Sequence, residues 1–367
     1  MTTCLRRGAW WCCWLVATVV MCSRVIFAGE GEWSVSLGAA EQPQNPAACG
    51  NHLIVMPTLT ALYAVNLTTG HSLWMFRYPL ATSNAYAVCD EEGLTAFVAT
   101  SGAIFALGTN GGGRLRWSYN VTGNTELNVY QGELFVSTRK QPLFALDVRE
   151  GRFVRQYGHL SSRAVWHTYF LYDTVYVASL AANASSQHAS LHAIDLYSGK
   201  TRWSFSDMGG FEMVGSLLFV RVNFAATQCI VSLDPQSGSI LWNASFNSLA
   251  PTFDFVVTQV GPPGGVQQPF LFAAGSTAND AYPNYLVSVD PSSGATLWNT
   301  TIGFFYLMAG EGAVFAGGTV TQFVAYDVLL GEELWSLPFT CVNAGVAHND
   351  WVVFGALNGT MVGRQVR

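Results

Sequence analysis

One short phrase recurs along this chain and limits the possible folds more than any other feature. In its clearest copies a small residue is followed two positions later by Asp, then after four residues by Gly, and after four more by Trp. These copies span residues 193–203, 232–242, 288–298 and 325–335. An Asp side chain accepts hydrogen bonds from backbone N–H groups one and two residues on, and Gly closes a hairpin in the left-handed conformation. Each copy therefore predicts a tight turn followed by a strand that carries Trp.

Weaker copies extend the pattern over most of the chain. The acidic or equivalent position recurs every 37 to 56 residues, at Asn66, Thr109, Asp147, Asp195, Asp234, Asp290 and Asp327. The Trp position is occupied by Trp74, Trp117, Trp203, Trp242, Trp298 and Trp335. Repeat three departs from the pattern, with Arg155 at the Trp position and Tyr157 two residues later. Repeat two is ambiguous, because Ala106 fits a register one residue earlier and the glycines at 111–113 leave room for an extra residue.

The segments between these turns are short and rich in β-forming residues, and no helical periodicity follows residue 28. Four strands in roughly 40 residues are typical of a propeller blade. The C-terminal segment supplies Gly363 and Gln365 at the small and acidic positions but ends before a Trp strand, whereas residues 29–37 supply Trp33 alone. We predict an all-β, eight-bladed β-propeller of four-stranded antiparallel blades. Pairing of the N- and C-terminal strands would close it and remove an open edge.

The N-terminus has the pattern of a secretory signal peptide. Arg6 and Arg7 precede an uncharged apolar run over residues 8–22, and Ala28 suits a cleavage site. We predict a signal peptide over residues 1–28 and a single propeller domain over 29–367, secreted or in the lumen of the secretory pathway. A signal anchor is the alternative, because Ile26 fits poorly three residues before the cut. No later apolar run has the length of a stable membrane span.

Cysteines and sequons agree with export. The cysteines after residue 28 are Cys49, Cys89, Cys229 and Cys341. They allow two disulfides in any of three pairings, or free thiols, and the sequence does not choose among these. The predicted glycosylation sites are Asn66, Asn120, Asn183, Asn243, Asn299 and Asn358. Asn243 and Asn299 directly follow a repeat Trp, so in a strand they point away from the face that buries it.

Composition excludes some functions. Only 11% of the residues are charged, the net charge is −6 and no basic run lies beyond Arg7, so we predict an ordered protein that does not bind nucleic acid. His159, His167, His188 and His192 all fall within repeat four. They lack the spacing of metal ligands, so no metal site is predicted.

At the repeated phrase the chain resembles the PQQ-like propeller repeat, whose docking phrase is A-x-D-x-x-T-G-x-x-x-W. The resemblance runs from residue 30 to the end and implies a propeller ring. This family includes quinoprotein alcohol dehydrogenases and the non-catalytic BamB-like branch. The dehydrogenases carry a vicinal Cys pair, Ca²⁺ ligands and a catalytic Asp, and none of these can be placed here. The one vicinal pair, Cys12 and Cys13, lies in the signal segment. We therefore assign no catalytic, cofactor-binding or metal-binding residue and favour a non-catalytic protein, with PQQ and Ca²⁺ as the disfavoured alternative.

Loop lengths suggest where a partner would bind. Two long loops, at 181–188 and 276–284, follow second strands and share a face with the connections between blades, whereas 259–268 belongs to the opposite face. On the first face we also place five charged residues: Arg139, Lys140 and Arg221 after second strands, and Glu212 and Asp254 on the connections between blades. Long loops on a rigid ring are a common place for binding specificity, although length drift between repeats also explains them.

We expect a monomeric scaffold that binds a protein or glycan partner through this face. The alternatives are a quinone-dependent oxidoreductase and a BamB-like assembly or folding factor.

Overall fold

The computed structural model describes residues 31–37, 41–123, 125–138, 141–157, 163–181, 189–224, 227–245, 253–260, 267–276, 284–302, 306–317, 322–338, 342–356 and 359–366. This part of the chain contains 31 β-strands in seven antiparallel sheets. In it, no helix has the length and apolar character needed to cross a bilayer. The prediction of an all-β chain built from four-stranded antiparallel sheets is confirmed.

Within each sheet, strands that are neighbours in the chain are hydrogen-bonded neighbours in space. Sheet 1 contains β2 (Ala47–Cys49), β3 (Leu53–Pro57), β4 (Ala61–Asn66) and β5 (Ser72–Arg77). Sheet 2 contains β6 (Tyr86–Cys89), β7 (Thr95–Ala99), β8 (Ala103–Gly108) and β9 (Arg114–Asn120). Sheet 3 contains β10 (Thr125–Tyr130), β11 (Glu133–Thr138), β12 (Phe144–Asp147) and β13 (Phe153–Gln156). Sheet 4 contains β14 (Arg163–Leu171), β15 (Thr174–Ala181), β16 (Ala189–Asp195), β17 (Thr201–Val214), β18 (Leu217–Phe224), β19 (Thr227–Leu233) and β20 (Ile240–Ser245).

The remaining sheets have four strands each, and only in sheet 7 does a strand from the other end of the chain join the order. Sheet 5 contains β21 (Phe253–Val260), β22 (Gln268–Ser276), β23 (Asn284–Val289) and β24 (Thr296–Ile302). Sheet 6 contains β25 (Tyr306–Gly310), β26 (Ala313–Gly317), β27 (Phe323–Asp327) and β28 (Glu333–Leu337). Sheet 7 contains β29 (Val342–His348), β30 (Trp351–Ala356), β31 (Thr360–Gln365) and β1 (Glu32–Ser36).

Sheet 4 has seven strands because it combines repeats four and five. The first part of β17 pairs with β16, and its last part, from Met208 to Val214, pairs with β18. The chain therefore passes from the last strand of one repeat into the first strand of the next without leaving strand conformation. Asp207, at the junction of the two parts, has a positive φ of 62°.

Sheet 7 joins the two ends of the chain. In its register Trp33 lies opposite Gly363, and Glu32 lies opposite Arg364. The first strands of neighbouring repeats also contact one another, and this series includes contacts of β29 with β25 on one side and with β2 on the other. Apolar clusters fill the spaces between the sheets. One of them joins Trp33 and Val353 of sheet 7 to Ile54 of sheet 1, and such burial is the main source of stability in a fold with so few charges.

Each repeat Trp connects its own repeat to the next one. The indole N–H groups donate to backbone carbonyls one repeat further on: Trp33 to Leu67 (2.8 Å), Trp74 to Thr109 (3.2 Å), Trp117 to Val148 (3.0 Å), Trp203 to Pro235 (2.9 Å), Trp242 to Pro291 (3.0 Å), Trp298 to Val328 (3.1 Å) and Trp335 to Val366 (3.0 Å). The ring also covers the turn glycine of the next repeat. At Gly238, where φ is +71°, an added Cβ would lie 2.6 Å from the Trp203 ring. The phrase is thus a docking device between repeats.

The turn carboxylates behave slightly differently from our expectation. Asp147 accepts hydrogen bonds from the N–H groups of Arg149 and Glu150, which are two and three residues on rather than one and two. At Asp290, hydrogen bonds from the side chain and backbone of Ser292 lower the pKa of the carboxyl group. These carboxylates therefore stabilise turns.

In repeat two, the register counted from Thr109 was wrong. Ala106 pairs with Trp117, and the Gly113 N–H bonds to the Gly108 carbonyl, so Gly108 stands at the acidic position. The extra residue is taken up in the turn, where Gly112 and Gly113 both have positive φ.

In repeat three, two polar side chains take the place of Trp. Arg155 Nη1 and Tyr157 Oη both donate to the Leu196 carbonyl, at 3.1 and 2.8 Å. This carbonyl directly follows Asp195, as the acceptors of most other repeats follow their own turn residue. Arg155 also forms an ion pair with Glu133. The junction keeps its hydrogen bond although it lacks an indole.

The structure resolves part of the cysteine pairing. Cys49 and Cys89 form a disulfide with a Cα–Cα distance of 5.4 Å, which links the first strands of repeats one and two. Cys229 is a buried free thiol, and burial raises its pKa. Cys341 and the predicted signal peptide lie outside the described residues.

Candidate functional site

The predicted partner surface is described only in part. Arg139, Lys140 and most of the three long loops lie outside the described residues, and so does the side chain of Asp254. Asn183 and Asn358 are outside as well, whereas Asn120, Asn243 and Asn299 are exposed and Asn66 is half-buried in its turn. The described candidates are thus Glu212 and Arg221.

Glu212, Asp254 and Arg221 lie inside strands, and the expectation that Glu212 and Asp254 lie on connections between repeats was wrong. Glu212 belongs to the last part of β17, because β17 runs unbroken through the place where we expected a connection. Arg221 belongs to β18 and pairs with Gly210. The side chains of Glu212 and Arg221 are half-buried. They are therefore held by the sheet rather than by a loop.

Strand register shows which edge of the ring these residues share. Glu126 lies near the beginning of β10, opposite Ser137 near the end of β11, and Gly210 and Arg221 have the same relation in β17 and β18. We call this edge, where first strands begin and second strands end, the entry face. Successive repeats have the same strand order, so the residues at the beginnings of their first strands lie close together at the entry face.

A recess of about 190 Å³ opens among these first strands. It is lined by His167, Gly209, Gly210, Phe211, Glu212, Arg221 and Phe255. Arg221 Nη2 donates to the Gly209 carbonyl at 2.7 Å, which holds the guanidinium in the wall. The recess therefore combines a cationic and an anionic side chain with two phenylalanines.

His167 connects the recess to repeat three. Its Nδ1 lies 2.9 Å from Glu126 Oε1, and its ring meets Phe211 edge to face at 5.0 Å. Nε2 is buried, and no hydrogen-bond partner for it occurs among the described residues. The sequence singled out His167 with three other histidines but missed Glu126. Comparing first strands between repeats would have found Glu126, since the two residues stand on the first strands of consecutive repeats.

The carboxylates of Glu126 and Glu212 influence the pKa values of the side chains around them. Burial lowers the pKa of His167, but the hydrogen bond and charge of Glu126 and the charge of Glu212 outweigh burial, so the pKa is raised. Burial raises the pKa of Tyr86, and both carboxylates add to the effect. Glu212 likewise adds to the burial that raises the pKa of Tyr169. Glu126, His167 and Glu212 thus share one electrostatic environment. Together with Arg221, which lines the same recess, we call them the inner cluster.

A second histidine lies elsewhere and is structural. His192 is buried within sheet 4, with Nδ1 2.8 Å from Ser204 Oγ and Nε2 3.0 Å from Ser179 Oγ. The three residues form a ladder across β15, β16 and β17. A catalytic serine would also need a neighbouring substrate cavity and oxyanion donors. The recess of the entry face is lined by other residues than these three, so we assign the ladder a structural role.

The described residues fit PQQ and Ca²⁺ poorly. Across the described ranges, no group of three or more His, Cys, Asp or Glu side chains is placed to hold a metal ion. Calcium requires six or more oxygen ligands. The recess contributes one carboxylate, and its phenylalanines are almost fully buried, so it offers no slot with open aromatic walls. No quinone chemistry is assigned to these residues.

Comparison with known proteins agrees with the geometry. The family model described as outer membrane protein assembly factor BamB matches residues 28–157. No curated protein sequence matches the chain. BamB from Moraxella catarrhalis is 15% identical, with a TM-score of 0.63 over 91% of this chain and 96% of that one.

Two further solved structures are similar. The propeller of Dos1 is 12% identical, with a TM-score of 0.66 over 91% of this chain and 94% of that one. A europium-containing methanol dehydrogenase is 14% identical, with a TM-score of 0.57 over 88% of this chain and 85% of that one. At such identities the likeness shows a β-propeller fold and leaves activity open.

Proposed function

We propose that this chain, whose residues 28–157 match the BamB family model, is a non-catalytic scaffold that binds a protein partner at its entry face. The inner cluster is the observation that carries the proposal. Charged groups are rare in this chain, yet Glu126, His167, Glu212 and Arg221 lie close together at the entry face. The turn carboxylates are used within their own turns, whereas the inner cluster borders a recess that can receive a ligand.

The shape of the recess favours a protein partner over a glycan. Glycan sites commonly stack a sugar ring on an exposed aromatic face. Phe211 and Phe255 are only 3% and 4% exposed, so neither offers such a face. A recess with an apolar floor and a charged rim suits a side chain presented by a polypeptide.

A closed ring of eight blades is part of the same proposal. Counting sheet 4 as two blades, because β17 serves both, makes eight. The pairing of β1 with β31 supports closure by the chain ends. Deleting residues 29–38 should then lower the unfolding temperature sharply. A deletion that left stability unchanged would rule out closure by this strand.

Location and glycosylation remain proposals as well. The disulfide between Cys49 and Cys89 supports an oxidising compartment. Exposed Asn120, Asn243 and Asn299 are suited to carry N-glycans. Protein from a eukaryotic secretory host should shift in mobility after endoglycosidase treatment, and Asn→Gln changes at these positions should each remove part of the shift.

Site-specific photo-crosslinking in the native host tests the function. A crosslinker placed at Glu212 should capture a discrete partner. One placed at Tyr172, which is 73% exposed in the turn between β14 and β15, serves as the matched control on the opposite edge. Equal capture at both positions, or capture at Tyr172 alone, would contradict the proposal.

The match to the BamB family model supports a second candidate, an assembly or folding factor. The same experiment separates the two. A scaffold should yield one or a few folded partners, whereas a folding factor should yield many nascent chains and lose them when translation is stopped.

A further inference from the structure

We propose that the recess binds a carboxylate of the partner between His167 and Arg221, and that acidification strengthens this binding by protonating His167. The inference rests on the proposed protein-binding function and names the chemistry of its site. The carboxylate can belong to an Asp or Glu side chain or to a chain terminus, and binding of capped and uncapped peptides distinguishes these sources.

The geometry of His167 sets the requirement. Its Nδ1 is engaged with Glu126 at 2.9 Å, so Nε2 is the nitrogen left for a ligand. Nε2 is buried without a hydrogen-bond partner among the described residues. A protonated imidazole donates from both nitrogens. A buried N–H without an acceptor costs free energy, so the protonated state gains from a ligand that brings an oxygen acceptor.

Arg221 supplies the second positive group. Its guanidinium lines the same recess and is positioned by the bond to the Gly209 carbonyl. A guanidinium matches the geometry of a carboxylate better than an ammonium group does. The carboxylate would therefore meet positive charge from β14 and from β18.

The net charge around the recess depends on whether His167 is protonated. The titratable and charged groups around His167 are Glu126 on β10, Glu212 on β17, Arg221 on β18, Tyr86 on β6 and Tyr169 on β14. Both tyrosines are neutral near pH 6 to 8, and burial raises their pKa values further from this range. With His167 protonated, the described charges of the inner cluster cancel. With His167 neutral they sum to one negative charge, which repels a carboxylate.

The size of the recess limits the ligand. About 190 Å³ holds one side chain or terminus. Phe211 and Phe255 exclude water from one side and strengthen the ionic contacts. A partner segment with many acidic residues would therefore place only one of them in the recess.

The test uses the full-length secreted protein labelled at the histidine nitrogens, observed by NMR. The probes are the capped peptides Ac-Gly-Glu-Gly-NH2 and Ac-Gly-Gln-Gly-NH2, and the uncapped acid Ac-Gly-Gly-Gly. The His167 signal is assigned from its loss in His167→Gln. The Glu peptide should move the Nε2 resonance of His167 saturably and bind roughly fivefold more tightly near pH 6 than near pH 8. The Gln peptide should bind roughly tenfold more weakly than the Glu peptide near pH 6 and should show little change in affinity with pH. Comparison with the free acid shows whether the site prefers a side chain or a terminus.

Two variants sharpen the outcome. His167→Gln should abolish the pH dependence, and Arg221→Gln should weaken the Glu peptide at both pH values while Arg221→Lys restores part of the affinity. If a variant misfolds by circular dichroism, the wild-type comparison of Glu and Gln peptides still decides. Equal binding of these peptides, affinity that does not change with pH, or no response of His167 would each overturn the inference. If these peptide results contradict the inference but a crosslinker at Glu212 still captures a partner, the scaffold function stands without the carboxylate site. If the peptides bind as expected but no partner is captured at Glu212, the scaffold function is wrong although the recess binds carboxylates.

Discussion

The junction between repeats three and four and the junction before it solve the same packing problem with different side chains. Between repeats two and three, one indole donates to the Val148 carbonyl. Between repeats three and four, Arg155 and Tyr157 share the Leu196 carbonyl. The acceptor has the same place in both turns. The backbone turn is therefore the constant part of the junction, and the donor can change.

The difference extends to the inner wall. Repeats three to five contain the junction without Trp, the unbroken strand β17 and the inner cluster of Glu126, His167, Glu212 and Arg221. The other described junctions, including those that follow repeats four and five, dock through indoles. The described junction without an indole and the inner cluster thus lie in the same sector, which is the sector we assign to binding.

The largest effect is expected at the seam of the ring. Trp33→Ala should destabilise the protein by about 3–5 kcal/mol, because Trp33 is 8% exposed, packs against sheet 1 and donates to Leu67. Denaturant unfolding measures the change. Trp33→Phe, which keeps a ring but loses the N–H, is the control and should cost less. A loss under about 1 kcal/mol for the Ala variant would show that the seam carries little stability.

Glycine substitutions compare the two kinds of junction directly. Gly238→Ala should cost about 2–4 kcal/mol, because the new Cβ meets the Trp203 ring at 2.6 Å and φ is positive. At Gly199 the nearest atom, on Tyr157, is 3.7 Å away, so Gly199→Ala should cost about 1 kcal/mol from the backbone alone. Equal unfolding midpoints for the two variants would remove the distinction between the junctions.

Removing Arg155 should have an intermediate effect. Arg155→Ala is expected to cost about 1–3 kcal/mol, because Glu133, whose side chain is 18% exposed, loses its partner and Leu196 loses a donor. Adding Glu133→Gln should recover part of the loss. A double variant as unstable as the sum of the single changes would show that the ion pair is unimportant.

The smallest effect is the pH dependence of stability. Because the pKa of folded His167 is raised, its pair with Glu126 stabilises fully below the unfolded value near 6.5 and is lost as pH rises through the folded value. Unfolding followed from about pH 6 to pH 8.5 should show a decline below about 1 kcal/mol, since the side chain is 36% exposed. Glu126→Gln should flatten this part of the curve, and an unchanged slope in that variant would assign the effect to other groups.

The repeated architecture could be predicted from the sequence, because the residues that form each turn and each docking contact are close together in the chain. The turn residues and the small residue opposite Trp belong to one short motif, so their effect is local. The split repeat at the chain ends shows the two parts of the same motif, which pair as neighbouring strands. Even the substitution at Arg155 was visible as a departure from the pattern, although the shared acceptor at Leu196 was not. The one-residue shift in repeat two could not be read from the sequence, because three consecutive glycines allow either register.

The sequence by itself determined that this chain is a series of β-sheet repeats docked mainly through indoles, because each docking contact depends on a short motif. Only the tertiary structure decided which distant residues meet. Glu126 and His167 are separated by a whole repeat, and Cys49 and Cys89 are 40 residues apart in the chain. Their proximity follows from the first strands of neighbouring repeats lying side by side, a relation that no spacing along the chain expresses. The inner cluster exists for that reason, and the function proposed for this protein depends on it.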